Sequence, residues 1–275
     1  MTCTDNLRAK KSLGQNFLTS VGALNKIIET ADIKTGDTVL EVGPGKGILT
    51  KEILSRAGKV IAVEKDDRLI PVLQEIFAKE IANEKLKIVH GDILEFNPVD
   101  FGLKKENYLI VANIPYYITG QFLRKFLEDK NHPKKMVLMV QKEVGERIVA
   151  KDGKENLLSI SVKAFGTPKY IETVKKGSFN PPPKVDSAII SINLEVQPPS
   201  KKTERSEEEN KKFFEILHVG FEHKRKILAG NLAQKYGNRE KIEQVFKKLG
   251  FELKIRAENL KLEDWMRLAE ELKNG

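Results

Sequence analysis

Thr38-Val39-Leu40-Glu41-Val42-Gly43-Pro44-Gly45-Lys46-Gly47 decides how the rest of the chain is read. Five strand-forming residues run into three glycines at alternate positions, and Ile48, Leu49, Ile53 and Leu54 then recur at helical spacing. A strand that turns through glycines into a helix is the opening of a βαβ unit, and such units build a parallel sheet covered by helices on both faces. The pattern extends outward. Upstream, Ser20 can cap a helix whose Val21, Leu24, Ile27, Ile28 and Ala31 share one face. Downstream, Val60–Val63, Leu86–Val89, Tyr108–Ala112, Met136–Val140 and Ala188–Ile192 are short apolar runs of the kind parallel strands buried on both faces require. Asp66 is expected to open the helix after the second run. The class is α/β, doubly wound.

Composition shifts after residue 196. Residues 197–209 read QPPSKKTERSEEE, with two prolines, a block of charge and no apolar residue, which predicts a linker. Ser206 and Glu209 have capping-box spacing, so a helix should begin there. Phe213, Phe214, Leu217, Ile227, Leu228, Leu232, Leu260, Trp265 and Leu268 then follow helical periods. The expected division is a 1–196 α/β domain, a 197–209 linker and a 210–275 all-α domain.

The 275 residues carry 48 Lys+Arg against 39 Asp+Glu, a net +9, and a single cysteine, Cys3. One thiol excludes an internal disulfide and the thiol-rich zinc sites, and fits a reducing, cytoplasmic setting. His90, His132, His218 and His223 show no metal spacing. Met1 to Gln15 lacks the apolar core of a secretory signal, and no run approaches the ~20 apolar residues that span a bilayer. The positive charge fits a polyanionic partner or a lysine-rich proteome alike.

Chemistry is written at successive strand ends. Gly43-Pro44-Gly45-Lys46-Gly47 lets the backbone approach a ligand closely and exposes helix N-terminal N–H groups. Its G-x-G-x-G spacing differs from that of dinucleotide binders and suits a ligand without a pyrophosphate, such as S-adenosylmethionine; alone it also fits a tight structural turn. Glu64, 21 residues after Gly43, can accept from both hydroxyls of a ribose, or serve as a helix N-terminal acid. Asp92 can accept from an adenine amino group, or cap a turn. Asn113-Ile114-Pro115-Tyr116-Tyr117 is the most specific segment. An Asn oxygen and the next backbone carbonyl, its direction fixed by proline, can accept both N–H protons of an exocyclic amine, localising its lone pair for methyl transfer. Tyr116 can stack on the base, and Phe179, in Phe179-Asn180-Pro181-Pro182-Pro183, can supply the opposite face.

Together these segments resemble the ribosomal RNA adenine N6-dimethyltransferases, of the KsgA type that acts on the small subunit. Ser12-Leu13-Gly14-Gln15-Asn16-Phe17-Leu18, EVGPGKGILT at 41–50, Asp92, NIPYY at 113–117 and FNPPPKVDS at 179–187 follow in that family's order. Phe221–Leu228, FEHKRKIL, resembles its basic helical motif, with Lys224 where arginine is usual, and Arg256–Leu260 with Trp265 and Leu268 resembles its closing helices. The resemblance implies a Rossmann-like class I methyltransferase domain with a mostly parallel seven-stranded sheet and a small all-α C-terminal domain. It implies transfer of methyl groups from S-adenosyl-L-methionine to N6 of two adjacent adenosines in a 3′-terminal hairpin of 16S rRNA, by a cytoplasmic monomer with a role in small-subunit assembly. Asn16, Leu18, Gly43, Gly45, Glu64, Asp92 and Asn113 would then hold the cofactor. Asn113, Ile114, Pro115 and Tyr116 would carry catalysis, with Tyr116 and Phe179 against the base. Lys10, Lys11, Lys224, Arg225 and Lys226 would meet RNA. A large-subunit (23S) rRNA methyltransferase of the macrolide-resistance type and a non-catalytic RNA-binding assembly factor are the alternatives.

Overall fold

The computed structural model describes residues 8–195, 206–223 and 225–273, with the backbone alone at Lys11, Glu207 and Lys273. Seven strands form one sheet: β1 (Thr38–Val42), β2 (Lys59–Glu64), β3 (Leu86–His90), β4 (Tyr108–Asn113), β5 (Lys135–Gln141), β6 (Thr167–Val174) and β7 (Ser187–Asn193). Their spatial order is β3-β2-β1-β4-β5-β7-β6. The pairs β1–β2, β2–β3, β1–β4 and β4–β5 are parallel, and β5–β7 is antiparallel. Val42 lies opposite both Val63 and Ala112, so the carboxyl ends of the three central strands are level. Strand order reverses at β1, which puts the ligand crevice of an open α/β sheet above β1 and β4.

Helices α1 (Val21–Ala31) and α2 (Ile48–Leu54) bury Leu24, Ile27, Ile28, Leu49 and Ile53 against Val39, Val60, Leu109 and Val111 of the sheet. Ser20 Oγ accepts from Ala23 N, the cap the sequence predicts. Helix α3 (Leu69–Ile76) starts three residues later than expected. The Asp66 carbonyl accepts from Leu69 N, but the Asp66 side chain is buried and committed elsewhere. Helices α4 (Ala78–Ala82), α5 (Thr119–Glu128) and α6 (Lys142–Val149) complete this part of the chain. A two-residue antiparallel ladder joins Phe17–Leu18 to Phe179–Asn180.

The described residues divide into two compact units, 8–145 with 168–195, and 146–167 with 206–273. The second is all helical: α7 (Leu157–Lys163), α8 (Glu207–Phe221), α9 (Leu228–Tyr236), α10 (Arg239–Leu249) and α11 (Leu262–Lys273), packed around fully buried Trp265. A Cβ on Gly220 would collide with the Trp265 ring, so only glycine lets α8 lie against α11 there. The boundary thus differs from one drawn at residues 196–210, because Ile160 and Ala164 of the 146–167 segment belong to the helical core. Of the expected linker, residues 197–205 lie outside the described residues. Ser206 and Glu209 form the reciprocal capping box at its end. Helix α8 ends at Phe221 and α9 begins at Leu228, so the described residues between them in the FEHKRKIL motif, Glu222, His223 and Arg225 to Ile227, are not helical. Among the described residues no helix is long and apolar enough to cross a membrane, and no group of His, Cys, Asp and Glu is arranged to hold a metal.

Candidate active site

The carboxyl ends of β1 to β4 open into a pocket whose other side is the N-terminal arm, Leu13–Phe17. Gly43, Gly45 and Gly47 sit at φ of +68°, +58° and +81°, which L side chains rarely adopt. A Cβ on Gly45 would come within 3.0 Å of the Phe17 ring. The turn is thereby bare of side chains where Gly43 and Gly45 line the pocket.

Glu64 closes β2. Its Oε2 accepts from Gly45 N at 3.1 Å and its Oε1 from Asp66 N at 2.8 Å, so the carboxylate ties the glycine turn to the next loop. An ionised carboxylate has about four acceptor positions, and the backbone N–H groups of Gly45, Asp66 and Lys65 do not fill them all. Burial pushes the Glu64 pKa up despite those bonds. Asp92 receives Leu94 N at 2.9 Å and Lys65 Nζ at 2.6 Å. Burial works to raise its pKa, but the Lys65 ammonium and the Leu94 N–H outweigh burial and hold the carboxyl below its usual range.

Asn113 ends β4. Its Nδ2 donates to the Asn16 carbonyl at 3.1 Å, which assigns the orientation of the amide and leaves Oδ1 as the acceptor branch. Ile114 N donates to Met139 O at 3.2 Å, anchoring the next peptide to β5. Tyr116 shares a hydrogen with Ser187 Oγ at 2.7 Å; burial raises its phenol pKa, and the ring forms part of the wall.

One pocket therefore gathers Asn16, Gly43, Gly45, Glu64, Asp92, Asn113, Ile114, Pro115 and Tyr116. Leu18 and Phe179 are not in its lining. They pair with each other in the short ladder, both buried, and Leu18 lines an adjoining recess with Phe17, Gly43 and Asn113. Of the basic residues expected at RNA, Lys10 is spent on Asp66 and Asp67, each at 3.3 Å. Arg225 and Lys226 are exposed in the turn between α8 and α9, while Lys224 and the side chain of Lys11 lie outside the described residues.

Two side chains, an amide and an acid, gain a place that their sequence context did not announce. Gln15 donates from Nε2 to Asp66 Oδ2 at 2.8 Å, linking the arm to the loop after β2. Glu41, in the middle of an apolar strand, is fully buried, and neither carboxylate oxygen has a hydrogen-bond partner among the described residues. Burial pushes its pKa up to about 8, the neighbouring Thr50 hydroxyl pulling it down and the Glu64 charge adding to the rise. One acid inside an otherwise apolar strand was the available signal.

The family described as Ribosomal RNA adenine dimethylase matches residues 6–274. A Ribosomal RNA small subunit methyltransferase A of Dehalococcoides mccartyi is 46% identical over 263 residues, 95% of this chain and 88% of that protein. Its counterpart in Enterococcus faecalis is 40% identical, covering 97% of this chain and 91% of that protein. Among solved structures, a dimethyladenosine transferase from Plasmodium falciparum superposes with a TM-score of 0.79 at 29% identity, over 94% of this chain and 98% of that one. The 23S rRNA methyltransferase ErmE superposes with a TM-score of 0.75 at 26% identity, over 94% and 100%.

Proposed function

The chain belongs to the ribosomal RNA adenine dimethylase family, and from that premise we infer that it is an S-adenosyl-L-methionine-dependent rRNA (adenine-N6,N6)-dimethyltransferase of the small ribosomal subunit. One observation carries the reading: the glycine turn, Glu64, Asp92 and the Asn113–Tyr116 segment share a single pocket. The small-subunit assignment rests on relatives 40–46% identical over nearly the whole chain, against 26% for ErmE.

The residues present fit the cofactor. Positive-φ glycines leave room for close approach, Glu64 keeps acceptor positions for ribose hydroxyls, and Asp92 offers a carboxylate for an adenine amino group. Asn16, Leu18 and Asn113 complete the set. When bound, S-adenosylmethionine supplies an electrophilic methyl group on a positively charged sulfur.

The protein's own part is orientation. The N6 lone pair of adenine is delocalised into the ring and is a poor nucleophile. Asn113 Oδ1 and the Ile114 carbonyl accept the two N–H protons, favouring a tetrahedral nitrogen with its lone pair free. Pro115 fixes the carbonyl's direction. Tyr116 and Phe179 take the two faces of the base; Phe179 is buried and outside the pocket lining, so its ring must swing toward the pocket to do so. No side chain with a tuned pKa is needed as base, since the methylated nitrogen loses its proton readily. Lys11, Lys224, Arg225 and Lys226 meet rRNA phosphates, with Lys10 joining them only once released from Asp66 and Asp67, and the targets are two adjacent adenosines in the 3′-terminal hairpin. The chain works as a cytoplasmic monomer on the assembling subunit.

The test is incubation with labelled cofactor and purified small or large subunits, followed by mass spectrometry of each rRNA. Two adjacent N6,N6-dimethyladenosines in small-subunit rRNA are expected. Label confined to the large subunit moves the chain to the ErmE activity, and no affinity for the cofactor makes it a binding factor.

A further inference from the structure

We propose that Asp66 is a positioning residue that latches the N-terminal arm over the pocket, and that the latched arm sets the Asn113 amide for transfer through the Asn16 carbonyl. This rests on the cofactor and target-base pocket proposed above. It adds a residue that touches neither cofactor nor base.

Asp66 is 1% exposed, and its carboxylate gathers donors from both sides of the pocket mouth. From the arm come Gln15 Nε2 at 2.8 Å and Lys10 Nζ at 3.3 Å. From its own loop come Arg68 Nε at 2.9 Å, Arg68 Nη2 at 2.6 Å and Arg68 N at 3.3 Å. The Arg68 guanidinium also reaches the Arg8 carbonyl at 3.4 Å, and Gln15 Oε1 accepts Lys10 N at 2.8 Å, so the arm is folded back on the same knot. Through its main chain, Asp66 donates to Glu64 Oε1 at 2.8 Å. A single residue therefore ties the arm to the carboxylate that ends β2.

The consequence reaches the chemistry in two steps. Gln15 precedes Asn16, whose carbonyl accepts from Asn113 Nδ2 at 3.1 Å. That bond holds the amide nitrogen toward the arm and so keeps Oδ1 as the acceptor for a target amine. An Asn amide without it is free to flip and present its NH₂, a donor facing donors, to the N–H protons it should accept. Leu13 to Phe17 line the pocket, so a ligand's passage past this wall requires the knot to open. The latch has a built-in release: its bonds are charge-assisted but lie at the pocket mouth, where Lys10 is partly exposed to solvent and to salt.

The principal variant is Gln15→Leu, which removes the arm's uncharged donor and leaves the Asp66–Arg68 pair intact. Three readouts are taken on the full chain: tryptic cleavage of the arm after Arg8 and Lys10, the dissociation rate of S-adenosylhomocysteine, and the single-turnover methylation rate with cofactor and rRNA saturating. Losing a hydrogen bond to a charged group predicts about tenfold faster arm cleavage and ligand release. The saturated transfer rate should fall as well, by about tenfold, because Asn113 is no longer oriented. Asp66→Asn added to Gln15→Leu should loosen the arm further, because Lys10 and Arg68 still engage Asp66 in the single variant, but by less than Asp66→Asn does alone, since the Gln15 bond is common to both. Unchanged arm cleavage in Gln15→Leu overturns the latch, as do fully additive effects. Faster release at an unchanged saturated rate overturns the positioning of Asn113. If the wild-type chain binds no cofactor while Gln15→Leu still loosens the arm, the latch stands and the methyltransferase reading falls.

Discussion

One wall of the pocket is the carboxyl edge of a parallel sheet and the other is an irregular arm, Arg8–Phe17, and different physics holds each in place. Glu64 and Asn113 are fixed by ladder register: the strands beneath them are almost wholly buried, and Val42, Val63 and Ala112 stand level across three strands. The arm has one short 3-10 turn, Lys11–Leu13, and a two-residue ladder; otherwise side chains hold it, chiefly through Asp66. Groups that must be placed within a fraction of an ångström sit on the wall that cannot move. The wall proposed to open for ligand is held by a few polar bonds, as segments that move at low cost are.

The largest effect should come from the rigid wall. Asn113→Ala removes the amide acceptor while leaving the ladder intact, so single-turnover methylation should fall by about 10³-fold. Binding of rRNA should stay within about threefold of wild type, as read by filter binding. Wild-type turnover in this variant would place the chemistry elsewhere.

The two walls should also answer pH with opposite sign. Glu41, under the glycine turn, has a folded pKa pushed up to about 8 from an ordinary 4.5. Between those values the unfolded chain ionises while the folded one keeps its proton, so stability from this group is present below pH 4.5 and is lost as pH rises toward 8. Glu41→Gln should therefore gain on the order of 3 kcal/mol over wild type between pH 5 and pH 8, measured by urea unfolding. An equal gap at both pH values would contradict the buried, protonated acid. Asp66 runs the other way. The Arg68 guanidinium, with Gln15 and Lys10, holds its carboxyl well below the usual range, so its contribution is complete above pH 4 and fades on acidification.

The rigid wall was also the legible one. Strands buried on both faces announce themselves as apolar runs, and the glycine turn and NIPYY segment sit at their ends. Strand β6, Thr167–Val174, does not, because it lies at the sheet's edge and its residues are mostly half-exposed or exposed. The ladder pairing Leu18 with Phe179 joins residues far apart in sequence, and nothing periodic in either segment marks it. Asp66 reads as a helix opener because local sequence carries no sign of burial. Local sequence is equally silent on which charges are paired. Lys134 to Lys176 hold ten Lys and Arg against five acids, but Lys134, Lys151, Lys154, Lys163 and Lys175 are in ion pairs. Arg147, Lys151, Lys154 and Lys163 also belong to the helical unit.

Glu64→Gln probes the joint between the walls. An amide has one oxygen, so it cannot accept both Gly45 N and Asp66 N; one N–H is left facing an NH₂ group. Cofactor affinity should fall between about tenfold and a hundredfold by calorimetry. Arm cleavage should also quicken, because Asp66 loses its main-chain acceptor. A loss of affinity with the arm unchanged would separate the two walls that this bond is taken to join.

The smallest effect belongs to Lys65, whose ammonium pairs with Asp92 at 2.6 Å but whose side chain is 51% exposed. Exposed pairs contribute little, because water and salt screen the attraction and the long side chain loses freedom in making it. Lys65→Ala gives Asp92 up to the pocket, where its carboxylate serves the cofactor's amino group without a competitor. It also removes a positive charge that holds the acid ionised. The two consequences oppose one another, so affinity should stay within about threefold of wild type at 0.15 M salt. What should change is its response to ionic strength. In the wild-type chain, added salt weakens the Lys65–Asp92 pair and so relieves the competition; in the variant that term is gone and the curve flattens. A large loss of affinity would mean that Lys65 touches the ligand itself, making the loop after β2 a contact surface as well as the anchor of the arm.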